Sequence, residues 1–328
     1  MVELRAFIRA TWLVDAWSLL PEVVDTRIEF ADFPNLLEGK ALGNRMQQEE
    51  ILIVDEDRVT KDTLECNKNL ELIGTPTAGL NHIDVGECTK RGIIVVNAPG
   101  VNADSVAEFT FALILALSRK IVSADNALRK GFAHEMKSYK ALMGMELKGK
   151  TIGIVGAGHI GSRVASIARG FGMQVLLYDP IVLPTYLEQF GRPVEMDDLF
   201  KNSDVISVHV PLTKQTLGMI SERHLRQMKK TAFFVNTSRG TVVNEVDLIR
   251  AIKEGWIAGA GLDVQAHEPL TQDDPLLKLD NVIVTPHIAS ISKDAQQRCD
   301  RVIQEEVIRF VKGQRLRFIA NPEVMSKT

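Results

Sequence analysis

Three ionisable residues, Arg239, Glu268 and His287, are of the types that could together reduce a 2-oxo acid. Reduction requires that the substrate carboxylate is held, that the ketone is polarised and that the developing alkoxide receives a proton. An arginine fork can bind the carboxylate and reach the carbonyl oxygen. An imidazole can supply the proton near neutral pH, and a neighbouring carboxylate favours its protonated form and fixes its orientation. Each residue alone could be an ordinary surface or turn residue, so the hypothesis depends on the fold bringing the three together.

A glycine motif, formed by Gly156, Gly158 and Gly161, indicates a dinucleotide site. It follows the apolar run 151–155 directly and opens a helix-like segment. The first glycine of such a motif permits a tight turn, the second lets the backbone approach a pyrophosphate, and the third allows close packing of helix and strand. Asp179 ends the next apolar run, 18 residues after Gly161, where a carboxylate can bind a ribose diol and repel a 2′-phosphate. The six residues after Asp179 include no base, so NAD is the predicted cofactor; the alternative is an ordinary Asp-Pro turn.

The elements that would position these residues alternate between strands and helices. Strands are predicted at 151–155, 174–178, 204–208, 232–236, 258–264 and 281–285, and helices at 159–171, 196–202, 221–228 and 244–255. The alternation predicts a parallel sheet covered on both faces, and ligands bind such sheets outside the carboxyl ends of the strands. The residues that follow the strands are the glycine turn, Asp179, His209-Val210-Pro211, Thr237-Ser238-Arg239, Asp263 leading to Glu268, and Pro286-His287. We therefore expect a cofactor and the three ionisable residues to meet at one edge of this sheet.

The position of the glycine motif near mid-chain predicts a second domain ahead of it. Strands are predicted at 3–10, 51–54, 70–74 and 92–96, and the run 105–130, which has no Gly or Pro, suits one long helix across the boundary. A last helix, at 292–313, is expected to return to the first domain. The predicted fold class is α/β with two domains: a doubly wound parallel-sheet NAD-binding (Rossmann) domain, residues 100–288, is inserted in a smaller α/β substrate domain, residues 1–99 and 289–328.

Composition excludes several classes of function. The chain of 328 residues has a net charge of −3, which gives no reason to expect nucleic acid or an anionic membrane as a partner. Charged residues interrupt the apolar N-terminus, whereas a signal peptide requires an uninterrupted apolar run. The apolar run 109–117 is too short to span a bilayer. Three scattered cysteines, Cys66, Cys88 and Cys299, favour neither disulfides nor a zinc site, so we expect no metal and a cytoplasmic location.

In these motifs the sequence resembles the D-2-hydroxyacid dehydrogenase family, particularly its phosphoglycerate dehydrogenase and glyoxylate/hydroxypyruvate reductase branches. The resemblance extends from about residue 51 to 312 and rests on TAGLNHID, NAPGVNADSVAEF, ELKGKTIGIVGAGHIGSRVA, YDP, HVPLT, VNTSRG, GAGLDV, HEPL and TPHIAS, in family order. It implies a flavodoxin-like substrate domain, a homodimer built around the helix from residue 103, and catalysis by Arg239, Glu268 and His287, with His287 as acid and base. It also implies that the Ala78-Gly79 backbone holds the substrate carboxylate. The residues implied to contact NAD are His159, Ile160, Asp179, Val210, Thr237, Arg239 and Asp263, to which the strand-end pattern adds His209, Pro211 and Ser238.

The sequence departs from the family pattern at three places. Asn81-His82 stands where Asp-Asn is common, which makes His82 a candidate for substrate specificity, and Gln265 and His267 stand where Phe and an acid are common. At the two places where phosphoglycerate enzymes usually carry arginine, the chain has the acidic run 55–57 and Thr75. Because acids repel a phosphate, these departures favour a small unphosphorylated substrate such as glyoxylate or hydroxypyruvate.

Two alternative functions remain open at this stage. The first is a D-3-phosphoglycerate dehydrogenase in which Arg58 anchors the phosphate. The second is a non-catalytic NAD-sensing binding protein, because fold alone does not fix function. Two further histidines, His134 and His224, lie in polar stretches and are expected to be solvated.

Overall fold

The computed structural model describes residues 4–10, 17, 20–30 and 35–327. The chain divides into two compact units. Unit 1 comprises Met1–Asn102 and Ile291–Thr328, and unit 2 is the continuous stretch Ala103–Ser290. Unit 2 thus begins at residue 103 rather than the predicted 100, and it ends at 290 rather than 288.

Unit 1 contains a five-stranded parallel sheet in the order β2-β1-β3-β4-β5. This is the flavodoxin-like order. The strands are β1 Arg5–Ala10, β2 Asp25–Phe30, β3 Ile51–Val54, β4 Leu72–Gly74 and β5 Ile94–Val96, and the helices are α1 Lys40–Gly43, α2 Lys61–Cys66, α3 Val85–Lys90 and α12 Lys293–Val311. Strands β3 and β4 are buried at every position, which explains their continuous apolar sequences. The edge strand β2 was not predicted, because its sequence DTRIEF is rich in charge.

The last segment of the chain is an integral part of unit 1. Ile303 and Val307 of α12 are completely buried in the same apolar cluster as Ile8 of β1 and Leu72 of β4. Farther along, the buried amide of Asn321 accepts a hydrogen bond from the backbone N–H of Val95 at 2.8 Å. The same amide donates to the carbonyl of Ile93 at 2.9 Å and to the hydroxyl of Thr89 at 3.0 Å. The core of unit 1 is therefore closed by residues from both ends of the chain.

Unit 2 contains a seven-stranded parallel sheet in the order β12-β11-β10-β9-β6-β7-β8. Its strands are β6 Thr151–Val155, β7 Gln174–Tyr178, β8 Arg192–Pro193, β9 Val205–Val208, β10 Phe233–Asn236, β11 Gly259–Leu262 and β12 Val282–Val284. Its helices are α4 Ala103–Ser118, α5 Ile121–Arg129, α6 Met136–Ala141, α7 His159–Gly170, α8 Pro184–Leu187, α9 Met196–Asn202, α10 Glu222–Leu225 and α11 Glu245–Lys253. The strand order reverses between β6 and β9, which is where doubly wound sheets bind their ligands. The predicted α/β fold class is confirmed.

The prediction of one long helix over 105–130 is wrong. Lys120 adopts a left-handed conformation, with φ of 54°, and separates α4 from α5. The cause is a tertiary contact that periodicity does not reveal. The carbonyl of Ser118 accepts a hydrogen bond from the backbone N–H of Met145 at 2.7 Å, so the segment after α6 fixes the end of α4.

The helix predicted at 221–228 is also shorter, because α10 ends at Leu225. The prediction that His224 is solvated is wrong. Its Nδ1 accepts from the backbone N–H of Ser221 in a capping box, and its ring packs on Phe200. Burial lowers the pKa of His224 accordingly. His134, by contrast, is exposed. Within the described part of the chain, no helix is long and apolar enough to cross a membrane.

Candidate active site

The glycine turn after β6 has the shape that the motif predicts. Gly156 has a φ of 93°, and a Cβ atom there would lie 2.7 Å from the carbonyl oxygen of His209. A Cβ atom at Gly161 would collide with the carbonyl of Gly156. At Gly158 no atom lies within 4 Å of the Cβ position, so this glycine leaves open surface where α7 begins. The first and third glycines are required by the fold, and the second leaves the helix N-terminus open, as close approach of a pyrophosphate would require.

Asp179, at the end of β7, accepts hydrogen bonds from two turns: the glycine turn after β6 and the turn that follows β7. One carboxylate oxygen accepts from the backbone N–H of Ala157 at 2.9 Å. The other accepts from the backbone N–H groups of Ile181 at 2.9 Å and Val182 at 3.1 Å. The carboxylate therefore shapes the glycine turn in addition to being half-exposed at the strand end, where a ribose would lie.

His209, at the end of β9, is held in its neutral form. Its Nε2 pairs with the hydroxyl of Ser207 at 2.8 Å, and its Nδ1 is buried with no hydrogen-bond partner among the described residues. Burial lowers the pKa of His209 to about 3. The next residue, Val210, is 8% exposed and Pro211 is exposed, so the side of this strand end that could meet a cofactor is uncharged.

Asn236, which the sequence analysis missed, organises the loop that carries Arg239. Its amide oxygen accepts from the backbone N–H of Ser238 at 3.0 Å and from the Ser238 hydroxyl at 2.8 Å. Its amide nitrogen donates to the carbonyl of Arg239 at 2.9 Å. The hydroxyl of Thr237 pairs with that of Thr110 in α4 at 2.9 Å, which ties the same loop to a helix. The available signal was an Asn at a strand end, which favours side-chain to backbone turns.

Two connections then meet at Gly240. A Cβ atom there would collide with the backbone of Gln265, so the loop after β10 can approach the loop after β11 only with glycine at this position. Glu245 of α11, also missed, accepts from the backbone N–H of Ala266 at 2.8 Å. These contacts bring Arg239 and the segment leading to Glu268 to the same edge of the sheet.

Glu268 and His287 form a direct pair. The Nδ1 atom of His287 lies 2.8 Å from one carboxylate oxygen of Glu268, and the other oxygen accepts from the backbone N–H of Gln265 at 2.9 Å. Because an ionised carboxylate only accepts hydrogen bonds, Nδ1 carries the proton of this contact, and Nε2 is the nitrogen available to a substrate. The two side chains are 44% and 34% exposed, so the pair is accessible from solvent.

The pKa values of the pair move in opposite directions. The hydrogen bond that His287 donates to Glu268 raises the pKa of His287, against burial and the Arg239 charge, which lower it. Burial alone would raise the pKa of Glu268, but the hydrogen bonds from His287 and Gln265 outweigh it and leave that pKa below its usual value. The pairing therefore favours the imidazolium form of His287 more than an unpaired histidine would, as a proton donor requires. The positive charge of Arg239 lowers the pKa of both groups.

Asp263 holds the loop that carries His287. Its side chain is completely buried, and it accepts hydrogen bonds from the Thr285 hydroxyl at 2.6 Å and from the backbone N–H groups of Ile288 at 2.9 Å and Ala289 at 2.8 Å. Its carbonyl accepts from the backbone N–H of His287, whose φ is 55°. The carboxylate predicted to contact NAD thus has no exposed surface in this structure and acts on the loop instead.

Ala78 and Gly79, the predicted carboxylate site, lie after β4 in unit 1. Their carbonyls are fixed by the Asn97 amide at 2.9 Å and the Thr77 hydroxyl at 2.7 Å, respectively. Thr75 is completely buried, and its hydroxyl pairs with the Thr77 hydroxyl at 3.0 Å and with Nε2 of His82 at 3.3 Å. Thr75 therefore supports this loop and presents no surface to a ligand.

The acidic run 55–57 does not present three charges. Asp57 is completely buried and pairs with the buried Arg9, its Oδ2 lying 2.7 Å from Nε. Asp55 is 5% exposed, so Glu56 is the one member with an exposed side chain. The interpretation of the run as a repulsive patch is wrong, because burial removes two of its acids from the surface.

A cavity of about 360 Å³ lies beside this run in unit 1. It is lined by Leu36, Leu37, Glu38, Glu56, Arg58, Asn81 and His82. The exposed Arg58 forms an ion pair with Glu38 at 3.6 Å, so the cavity carries both signs of charge. His82 lies on the wall of this cavity, and its role in specificity stays a prediction. No group of three or more metal-ligating side chains is found in the part of the chain that the structure describes.

Comparison with known proteins supports the family resemblance. Residues 111–289 match the model of the D-isomer specific 2-hydroxyacid dehydrogenase NAD binding domain. A glyoxylate reductase of Thermofilum pendens is 42% identical over 316 residues, which cover 94% of this chain and 91% of that protein. A D-3-phosphoglycerate dehydrogenase of Archaeoglobus fulgidus is 43% identical over 274 residues, which cover 83% of this chain and 51% of that protein.

A solved structure is similar to this chain over most of its length. The D-lactate dehydrogenase of Aquifex aeolicus, in complex with NAD and lactic acid, has a TM-score of 0.80 and 33% sequence identity. The match covers 94% of this chain and 96% of that one.

Proposed function

Because the chain belongs to the D-isomer specific 2-hydroxyacid dehydrogenase family and is an NAD-dependent enzyme of that family, we propose that it reduces a small unphosphorylated 2-oxo acid. Glyoxylate and hydroxypyruvate are the substrates we favour. The observation that carries the proposal is the hydrogen bond of 2.8 Å between Glu268 and His287 at the sheet edge that also holds Arg239. The relative from Thermofilum pendens, which this chain matches over nearly its whole length, is named a glyoxylate reductase.

The proposed mechanism assigns one task to each side chain. Arg239 binds the substrate carboxylate and polarises the ketone oxygen with its planar fork. His287 donates the proton on Nε2 to the oxygen as the alkoxide develops, and Glu268 keeps the imidazole protonated and oriented. In the oxidative direction the neutral His287 takes the proton back. Bound NADH supplies the hydride for this chemistry.

Several residues fit the cofactor. The open surface at Gly158, His159 and Ile160 suits the pyrophosphate, and Asp179 suits the ribose diol, with no base in the following turn. The neutral strand end of His209-Val210-Pro211 and the loop of Thr237 and Ser238 are assigned to the remainder of NAD. The buried Asp263 is assigned an indirect role, through the His287 loop.

The support for an unphosphorylated substrate comes from Thr75, because two of the three acids in the run 55–57 are buried and cannot repel a phosphate from the surface. A phosphate normally requires arginine or lysine forks. Thr75 is buried and bonded to its own loop, and Arg58 is engaged by Glu38. The alternative of a D-3-phosphoglycerate dehydrogenase draws on Arg58 and on the relative from Archaeoglobus fulgidus. A non-catalytic NAD sensor is not supported, because the Glu268–His287 pair is fully assembled.

Rates of NADH oxidation with glyoxylate, hydroxypyruvate and 3-phosphohydroxypyruvate test the substrate assignment. We expect higher kcat/KM for the two unphosphorylated acids, and little change in either value in Arg58→Ala. A preference for 3-phosphohydroxypyruvate that is lost in Arg58→Ala would instead establish the phosphoglycerate alternative. Lack of activity with all three acids in a protein that binds NADH would refute the proposed substrate class.

We also propose a homodimer with a cytoplasmic location. Large apolar side chains are exposed on and beside α5 and α6, including Leu128 at 63%, Met136 at 71% and Met143 at 70%. Such clustering is typical of a surface that a second subunit covers. The three cysteines are free thiols, which suits a reducing compartment. Light scattering in solution should give twice the chain mass, and Leu128→Glu with Met136→Glu should reduce it to the monomer.

A further inference from the structure

The sheet does not by itself explain how Glu268 and His287 come within 2.8 Å of each other. The pairing of β11 with β12 ends at Leu262 and Val284, so both residues lie beyond the ladder, on two separate connections. A strand end that has left its ladder is free to move unless other contacts hold it. Asp263 holds the connection that carries His287, so the group still to be identified is the one that ties the segment carrying Glu268 to it.

Gln265 makes this link with its side chain. The amide nitrogen donates to the carbonyl of Leu262, at the end of β11, and to the carbonyl of Thr285, just after β12, each at 3.2 Å. Both neighbours are acceptors, so the nitrogen and not the oxygen of the amide must face them. The residue is 6% exposed, and its two amide protons thus join the two strand ends in a dry environment, where a lost hydrogen bond is costly.

The backbone of the same residue completes the link. The N–H of Gln265 donates to one oxygen of Glu268 at 2.9 Å, while the other oxygen binds His287. From these contacts we propose that Gln265 is a positioning residue that holds Glu268 against His287. The catalytic consequence of this role rests on the proposed function. The contact between Glu268 and His287 that the role explains is present without substrate.

Gln265→Met and Gln265→Leu test the proposal. Methionine keeps the length of the side chain without donors, and leucine removes the donors without placing a charge beside His287. Asn281→Ala is the matched control, because the Asn281 amide donates to the carbonyl of Ala258 at 2.9 Å and so braces the opposite ends of the same two strands. If the methionine variant does not fold, the leucine variant is used for the same measurement.

The primary readout is the titration of His287 itself, followed by nuclear magnetic resonance in protein with carbon-13-labelled histidine. The chain has seven histidines, and the His287 signal is the one missing from His287→Gln. We expect the titration midpoint to fall to lower pH in both Gln265 variants, since the contact that raises the pKa of His287 is loosened, and to stay unchanged in Asn281→Ala. Reduction of the 2-oxo acid should lose about tenfold or more in kcat with little change in KM, and its alkaline limb should move to lower pH.

A wild-type titration midpoint in the Gln265 variants that fold would overturn the proposal, whatever their activity. If the wild-type enzyme reduces the 2-oxo acid and the Gln265 variants keep the wild-type titration midpoint of His287, Gln265 only fills space. A shifted midpoint in a protein that reduces no 2-oxo acid supports the positioning role and refutes the proposed function instead.

Discussion

Replacing Glu268 by glutamine should move the pH dependence of reduction to lower pH. The carboxylate of Glu268 accepts two hydrogen bonds, one at each oxygen, from Gln265 and His287. Glutamine offers a single acceptor oxygen, so it can satisfy only one of these donors and turns its NH₂ group toward the other. The variant therefore loses the negative charge and one hydrogen bond, while burial and the charge of Arg239, which lower the pKa of His287, remain.

The size of the effect follows from the exposure of the pair. A hydrogen bond to a charged group contributes about 1.5 to 3 kcal/mol when it is well shielded. The side chains of His287 and Glu268 are 44% and 34% exposed, so solvent screens the pair and the lower end of that range applies. About 1.4 kcal/mol corresponds to a tenfold change in the fraction of protonated imidazole. We expect kcat for reduction to fall about tenfold above neutral pH and much less in acid, where His287 is protonated in both proteins.

The sign of the shift makes the prediction refutable. His287 must be protonated for reduction, so the reductive rate is lost as pH rises through its pKa, and a lower pKa moves this loss to lower pH. Oxidation requires neutral His287, so its acid limb should move in the same direction. Steady-state rates in both directions over about pH 5 to 9 measure the two limbs. An unchanged reductive profile in Glu268→Gln, or a shift to higher pH, would show that Glu268 does not control the proton of His287.

Three further substitutions address the remaining assignments. His287→Ala should lower kcat for reduction by about 10²-fold or more while NADH affinity hardly changes, and near wild-type kcat would remove His287 from the mechanism. Arg239→Lys keeps the charge but loses the planar fork, so KM for the 2-oxo acid should rise and kcat should fall; equal kinetics would leave Arg239 as a background charge. Asp179→Ala should weaken NADH binding, measured by fluorescence, by about tenfold, because a charged acceptor is lost. It should also narrow the preference of the enzyme for NADH over NADPH. A wild-type enzyme that works equally well with NADPH would refute the reading of Asp179.

Features that depend on local backbone sterics could be predicted from the sequence. The glycine turn is an example, because Gly156 has a positive φ and Gly161 leaves no room for a side chain. The placement of Glu268 and His287 at one sheet edge was also predictable, since parallel strands end there together, whereas their direct hydrogen bond depends on the contacts of Asp263 and Gln265.

Features that depend on tertiary partners could not be predicted in the same way. The end of α4 is fixed by Met145, which lies beyond α5 and α6 in the chain. No Gly or Pro stands in α4 to predict where the helix ends. The burial of the acids at 55–57 could not be predicted from the sequence, because the partner of Asp57 is Arg9 of β1, which is distant in the chain. The role of Gln265 was equally hidden, since its two acceptors become neighbours only after β11 and β12 pair.

The closure of unit 1 by α12 and Asn321 has a consequence for synthesis on the ribosome. All of unit 2 has been translated before Ile303, Val307 and Asn321 exist, so the inserted unit can fold while the unit that surrounds it in sequence cannot. Until those residues emerge, the nascent chain exposes the apolar side chains of Ile8 and Leu72, which α12 later covers. The N-terminal part of this chain is thus the first to be made and the last to be completed.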